Sequence, residues 1–414
     1  MTDAQNARSP GFSRNFLTIL TAQLLTRLGD ALASPKTVLP WIMSSVQAPV
    51  ALTAFLVPVR ESGSLIPQLL IAGWVRRQAI RKWIWVTGSL VQALCVAGMG
   101  LVAWTLAGAS AGWSILGLLV LFSLARSFCS IAAKDVLGKT IPKQQRGRLT
   151  GASASGAGLI SILVGSAMLL SLFAFGDVRD YGTLLIVAGF LWLGGAVVFS
   201  GADESAGDRD SAQSAGGKFV QRLSLLITDD QFRMFVLTRA ALLCSALSGP
   251  YYVLMAREMS GQQASLLGSF IVAGGIASFV SAPVWGRFAD ASSRRVMMVA
   301  TLVSGLTGVL VYCTVEFGAG IAAHRAFFPA AFFVLSVAHN GVRVGRKTYV
   351  VDMADGNKRT DYVAVSNTAI GLILLLAGLS GTLSGYLSLA EIVLLLSGLG
   401  LIGAVLCTRL REVE

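Results

Sequence analysis

Apolar residues in this chain come in long, nearly unbroken runs rather than in alternation with polar ones. Twelve runs can be drawn, over residues 15–43, 51–73, 83–107, 113–134, 149–173, 181–200, 233–256, 264–287, 294–317, 325–347, 361–386 and 388–408. Each is near the roughly 20 residues a helix needs to cross the hydrocarbon of a bilayer. Period-two alternation is absent, and a backbone in lipid must satisfy its own hydrogen bonds, so the runs predict helices and not a barrel. The expected fold class is an all-α membrane protein with twelve transmembrane helices. Residues 1–14 form a polar N-terminal segment, and 201–232 divide a bundle over 15–200 from one over 233–414 that includes a short tail. Gly201–Gly217 is rich in Gly, Ala, Ser and Asp and reads as a flexible linker. Beyond it, Phe219, Val220, Leu223, Leu226 and Ile227 follow helical spacing, with Lys218, Gln221 and Arg222 opposite. Two readings fit this stretch: an amphipathic helix lying on the membrane face, or an extension of the seventh span.

Composition sharpens the picture. The chain is 54% hydrophobic and 13% charged, against about 25% charged in soluble domains, so lipid is the expected solvent. Its net charge of +12 does not imply nucleic acid, because the cations are placed by topology. Most fall in the N-terminal segment, alternate loops and the tail. The other set of loops holds Arg179, Arg257 and Arg325. That asymmetry puts both termini in the cytoplasm of what we expect to be a prokaryotic inner-membrane protein. Cys95, Cys129, Cys244, Cys313 and Cys407 all lie in apolar runs without metal-ligand or disulfide spacing.

A polar hairpin, Gly286-Arg287-Phe288-Ala289-Asp290-Ala291-Ser292-Ser293-Arg294-Arg295, repeats the layout of Gly73 to Lys82. Gly73 and Gly286, Arg81 and Arg294, and Lys82 and Arg295 share one offset of 213 residues (286 − 73). The same offset pairs Lys134 with Lys347, Arg146 with Arg359, and Arg126 with His339. Leu25-Thr26-Arg27 matches Leu237-Thr238-Arg239 one residue out of step. Two six-helix halves of like topology, related by an axis along the membrane normal, account for this.

These residues resemble the major facilitator superfamily over nearly the whole chain. Gly286, Asp290, Arg294 and Arg295 are similar to the family's G-x-x-x-D-x-x-G-R-R loop, with Ser293 at its last glycine. The copy with Gly73 and Arg81 departs further: Arg77 takes the aspartate position and Ile80 the glycine position. The resemblance implies a cytoplasmic gate in which such loops latch the halves when the carrier faces outward. Plain positive-inside charge explains the arginines equally well, whereas Asp290 favours the latch. Asp30 followed by Val38-Leu39-Pro40 loosely resembles the first-helix motif of proton-coupled drug exporters in the family, with Lys36 in place of an asparagine. The fifth span lacks the Gly-Pro pair of the antiporter motif.

Charges inside the runs carry the candidate chemistry. Each costs roughly 2.5–3.5 kcal/mol at mid-bilayer, so Arg27, Asp30 and Lys36 of the first span must face the interior or each other. Arg27 and Asp30, three apart on a helix, are placed to pair. Arg60-Glu61 reads as a local or interhelical structural pair and not as a site. The resemblance implies that spans one, four, seven and ten line a central cavity, and Arg27, Arg126, Arg239 and His339 give each of these one polar position. With Asp30, Lys36 and Asn340 they form the expected substrate and coupling set. Interhelical bonds holding the bundle are the other reading. Away from the run ends, five cations (Arg27, Lys36, Arg60, Arg126, Arg239) face two anions (Asp30, Glu61), and the excess calls for a counter-anion. The expected function is secondary active transport of a small, anionic organic solute by alternating access, proton-coupled through Asp30 or His339. The alternatives are a proton-driven exporter of amphipathic or cationic compounds, and a non-transporting membrane receptor. The partners implied are the solute, the lipid bilayer and a proton, not nucleic acid, and a monomer suffices. Neither a Walker loop nor a histidine cluster is present, so no enzyme activity, cofactor or metal is expected.

Overall fold

The computed structural model describes residues 10–67, 71, 74–75, 77–172, 177–206, 224–353 and 356–413. Among them every regular element is helical. In chain order these are α1 (Pro10–Leu32), α2 (Val38–Ser45), α3 (Val50–Thr53), α4 (Leu56–Leu65), α5 (Lys82–Thr105), α6 (Gly108–Thr140), α7 (Lys143–Leu169), α8 (Val178–Ser200) and α9 (Leu225–Thr228). Then come α10 (Asp230–Ala241), α11 (Cys244–Ser260), α12 (Ala264–Ala291), α13 (Ser293–Phe317), α14 (Ala319–Ala322), α15 (Phe327–Asp352), α16 (Gly356–Gly378), a 3₁₀ turn (Leu379–Gly385) and α17 (Leu389–Arg409). Ten helical segments among the described residues are long and apolar enough to cross a membrane. Large apolar side chains such as Leu94, Trp113, Phe190, Leu310 and Val405 stand exposed on the outside, as a lipid-facing wall requires. The chain is an integral membrane protein.

The first two apolar runs, expected as whole helices, are broken, and prolines supply the reason. Pro35 lies between α1 and α2, and Leu39 N–H bonds back to the Ser34 carbonyl instead of continuing the ladder. Pro58 in α4 has no N–H to offer the Ala54 carbonyl four residues back, and the chain turns at Ala54–Phe55. The seventh run also divides, at Leu242–Leu243 between α10 and α11. Helix ends elsewhere follow capping chemistry. Asp177 and Asp180 close a capping box on α8, and Ser388 with Glu391 close one on α17. The stretch expected to be amphipathic lies largely outside the described residues; of it, α9 is seen.

Helices α1–α8 pack among themselves, and α10–α17 do likewise, with α5 against α8 and α13 against α17 as the tightest neighbours. The two sets meet through α7 with α12, α4 with α16, α3 with the 3₁₀ turn, and α2 with α11. Antiparallel α7 and α12 approach backbone to backbone at glycines: a Cβ on Gly268 would stand 2.6 Å from the Gly165 carbonyl oxygen. Ser62 Oγ donates to the Gly371 carbonyl at 2.8 Å. Arg257 of α11 donates to the Trp41 carbonyl at 2.6 Å and to Ser45 Oγ at 2.5 Å. It also lies over the Trp41 ring, 5.1 Å from its centroid. The glycine and Arg257 junctions lie toward the face opposite the chain termini, and Ser62–Gly371 lies near mid-span. Nearer the terminal face, a Cβ on Gly151 or Gly286 would look onto open space. The contacts named above join the helix sets opposite the termini and near mid-span, and we take the terminal face as the open side.

Candidate substrate site

The opening narrows to a cavity at the broken helices. Its polar lining is Lys36, from the α1–α2 break, Glu61 of α4, Arg239 of α10, and His339, Arg343 and Arg346 of α15. Leu65, Leu243 and Leu374 supply apolar wall. Both helix sets contribute. The break at Pro35 frees Lys36 from helical packing, as discontinuous helices do at membrane binding sites. Arg239 is the most deeply set cation, 6% exposed. Its Nη1 donates to Ser366 Oγ and its Nη2 to Asn367 Oδ1, both at 2.9 Å, while its Nε has no partner. Ser245 Oγ lies 3.1 Å from His339 Nδ1. Glu61 stands within electrostatic range of Lys36, Arg343 and Arg346, so one carboxylate faces four lining cations.

Beside this cavity lies a separate cluster. Asp30 Oδ1 and Oδ2 accept from Arg126 Nη1 and Nη2, each at 2.7 Å, and Oδ1 also accepts from Arg60 Nη2 at 2.6 Å. The Arg60 guanidinium sits over the Phe122 ring, 4.3 Å from its centroid. Arg27 is in range of Asp30 and Arg126, but neither guanidinium bonded to Asp30 is its own. The pairing expected of Arg27 with Asp30 is therefore corrected: two arginines from other helices take the carboxylate, one of them in fork geometry. Of the local or interhelical pairing expected for Arg60 and Glu61, Arg60 makes an interhelical one, with Asp30, and Glu61 is corrected from a structural residue to a cavity-lining one. Successive residues on a helix point about 100° apart, so Arg60 turns to Asp30 and Glu61 to the cavity.

The other expected site residues fall elsewhere. Asn340 Nδ2 donates to Ser281 Oγ at 3.0 Å, an α15–α12 contact within one helix set. Of the gate residues, Gly73 lies outside the described residues. Arg81 pairs with Asp135, and its backbone N–H donates to Glu204. Arg294 pairs with Glu412 at 2.7 Å and donates to the Leu410 carbonyl. Gly286 and Asp290 lie in α12, and the Arg295 backbone N–H donates to the Ser292 cap. The ion pairs of Arg81 with Asp135 and of Arg294 with Glu412 lie within their own helix sets.

Sequence reasoning missed Glu61, Arg343 and Arg346. The last two sit near the terminal-face end of the tenth span, where a cation reads as positive-inside charge. Their spacing with Lys347, at i, i+3 and i+4, was the available signal, because it puts three cations on one helix face.

Residues 234–414 match the model of the Major Facilitator Superfamily. Solved transporters share the fold across the whole length. A POT family transporter in complex with a thioalcohol-conjugated peptide aligns at a TM-score of 0.73 with 9% identity, over 95% of each chain. The xylose transporter XylE from E. coli, in an inward-open conformation, aligns at 0.72 with 11% identity, over 97% of each. The nucleoside transporter NupG aligns at 0.70 with 11% identity, over 96% of this chain and 98% of its own. A comparison with curated proteins gives no match. The resemblance read from the sequence holds on both grounds: the C-terminal half matches the superfamily's model, and the whole chain carries an MFS-type transporter fold.

Proposed function

We propose that this protein is a secondary active transporter that moves a small organic anion across the membrane by alternating access. The observation that carries this reading is the lining of the cavity: Lys36, Arg239, Arg343 and Arg346 against Glu61 alone. Arg239 is buried and Lys36 and Arg346 are half-buried; cations so placed need a counter-charge, and an incoming anion supplies it. The Arg239 Nε without a partner is one donor free to meet it. The same lining opposes a cationic substrate, which would meet one carboxylate among four like charges.

Positive-inside charge assigns the terminal face to the cytoplasm, so the open side here faces inward. The Gly73–Arg81 and Gly286–Arg295 hairpins then serve as the gate that engages across the halves once that side closes. Two of the structural neighbours are a D-xylose–proton symporter and a POT family transporter. We assign a proton as the coupling ion here, with Asp30 and His339 as the groups that take it.

The test is a thermal-shift screen of the purified protein against organic anions and their neutral and cationic analogues. Binding to the folded state adds about 2.7 kcal/mol of stability at one hundred times Kd. Anions should raise the melting temperature, and Arg239→Gln should abolish the rise. A shift from cationic amphiphiles alone would refute the assignment.

A further inference from the structure

We infer that the carrier is an obligate exchanger of multivalent anions: its open side closes only around bound anion, so the empty protein does not return across the membrane. This rests on the anion reading above and goes beyond it, from what is bound to how transport cycles. The ground is the sign of the charges facing one another across the opening. Lys134 of α6 and Lys347 of α15 stand within electrostatic range on opposite helix sets. Arg27 of α1 faces Arg343 of α15 in the same way. Lys36 faces both Arg343 and Arg346. All three facings are cation to cation.

The carboxylates nearby offset them only in part: Glu61 of α4 is in range of Lys36 and, across the opening, of Arg343, Arg346 and Lys347, one negative charge for four positive ones. Asp30 is held by Arg126 and Arg60. Asp135 is held by Arg81 and Lys139. Glu61 is the one carboxylate in the cavity lining. In the open state the facings are tolerable, because Lys134, Arg343 and Lys347 are exposed to water. Closing the mouth brings the helix sets together and removes that water, and like charges then repel at lower effective dielectric. A ligand shifts this equilibrium only by its differential affinity for the closed form. A bound anion has that affinity, since it turns repulsion between the halves into two attractions. The lining holds four cations against one carboxylate, an excess of three. A divalent or trivalent anion matches it and a monovalent one does not.

A proton cannot replace the anion. Protonating Glu61 removes the lone carboxylate of the lining, protonating His339 adds a cation, and protonating Asp30 releases two arginines. Each makes the opening more positive. Protons can bias exchange by accompanying one of the two anions, but they do not return the empty carrier.

The test uses the full chain in proteoliposomes, with labelled succinate, citrate and inorganic phosphate as probes. Vesicles contain either the same unlabelled anion or none, with and without an inward proton gradient. Uptake into loaded vesicles should exceed uptake into empty ones by about tenfold or more, which corresponds to a closing barrier about 1.4 kcal/mol higher without anion. The proton gradient should not abolish that difference. Equal uptake into both would overturn the exchange inference while leaving anion transport intact. No uptake of any probe under either condition would overturn the anion reading itself. The exposed pair Lys134→Gln with Lys347→Gln should raise uptake into empty vesicles toward the exchange rate. An unchanged ratio in that variant would count against repulsion as the cause.

Discussion

Replacing Asp30 by Asn tests the charge cluster beside the cavity. The carboxylate takes three charge-assisted hydrogen bonds, two from Arg126 at 2.7 Å and one from Arg60 at 2.6 Å. Asn keeps the shape and one acceptor oxygen but removes the negative charge, which leaves two guanidinium groups facing each other. Breaking a buried ion pair by removing one partner costs about 3–5 kcal/mol. The Asp30 side chain is 23% exposed and that of Arg126 35%, so solvent screening lowers the figure to about 2–3 kcal/mol. For a chain of 414 residues this amounts to a fall in melting temperature of about 2–4 °C. The assay is thermal unfolding in mild detergent, followed by tryptophan fluorescence. The double variant Asp30→Asn with Arg126→Gln removes the orphaned charge together with its partner. It should be more stable than the sum of the single effects by about 1–2 kcal/mol. A single variant that melts with the wild type, or strictly additive singles, would refute Asp30 as the anchor of Arg60 and Arg126.

Three further outcomes follow from the geometry. Gly268→Val puts a side chain where even a Cβ lies 2.6 Å from the Gly165 carbonyl; it should keep the protein folded but disfavour closure opposite the termini, raising thiol labelling of a cysteine placed at Ser45. Arg257→Ala removes the donor to Trp41 and Ser45 and should raise the same labelling several-fold, with Arg257→Lys between the two. Glu204→Gln takes a buried charge from Lys139 and from the backbone N–H groups of Arg81 and Lys82; it should cost about 2–4 kcal/mol, read as a lower melting temperature with substrate affinity unchanged.

How much of this was legible in the sequence depends on the range of the interaction. The helices were, because apolar length is a local property. The 213-residue repeat also brought out Lys134 and Lys347, which the fold sets facing each other. Lys36, Arg239 and His339 could be singled out because an ion in an apolar run is costly wherever it points. Which partner such an ion finds was not legible. Asp30 has Arg27 three residues away, yet takes Arg126 and Arg60, 96 and 30 residues along the chain. Glu61 was grouped with its neighbour Arg60 because the two adjoin in sequence, whereas helix geometry turns them apart. Arg343 and Arg346 were hidden by topology: a cation near the terminal end of a span looks like loop charge until α15 is seen to run on to Asp352.

The most direct measurement of the central claim is counterflow in proteoliposomes across a set of solutes of similar size whose charge runs from neutral to −3. The account predicts transient accumulation that requires negative charge, rises from monovalent to multivalent anions, and is lost in Arg239→Gln and Arg346→Gln. Counterflow of the neutral members at the same rate as the anions, or of cations instead, would contradict it.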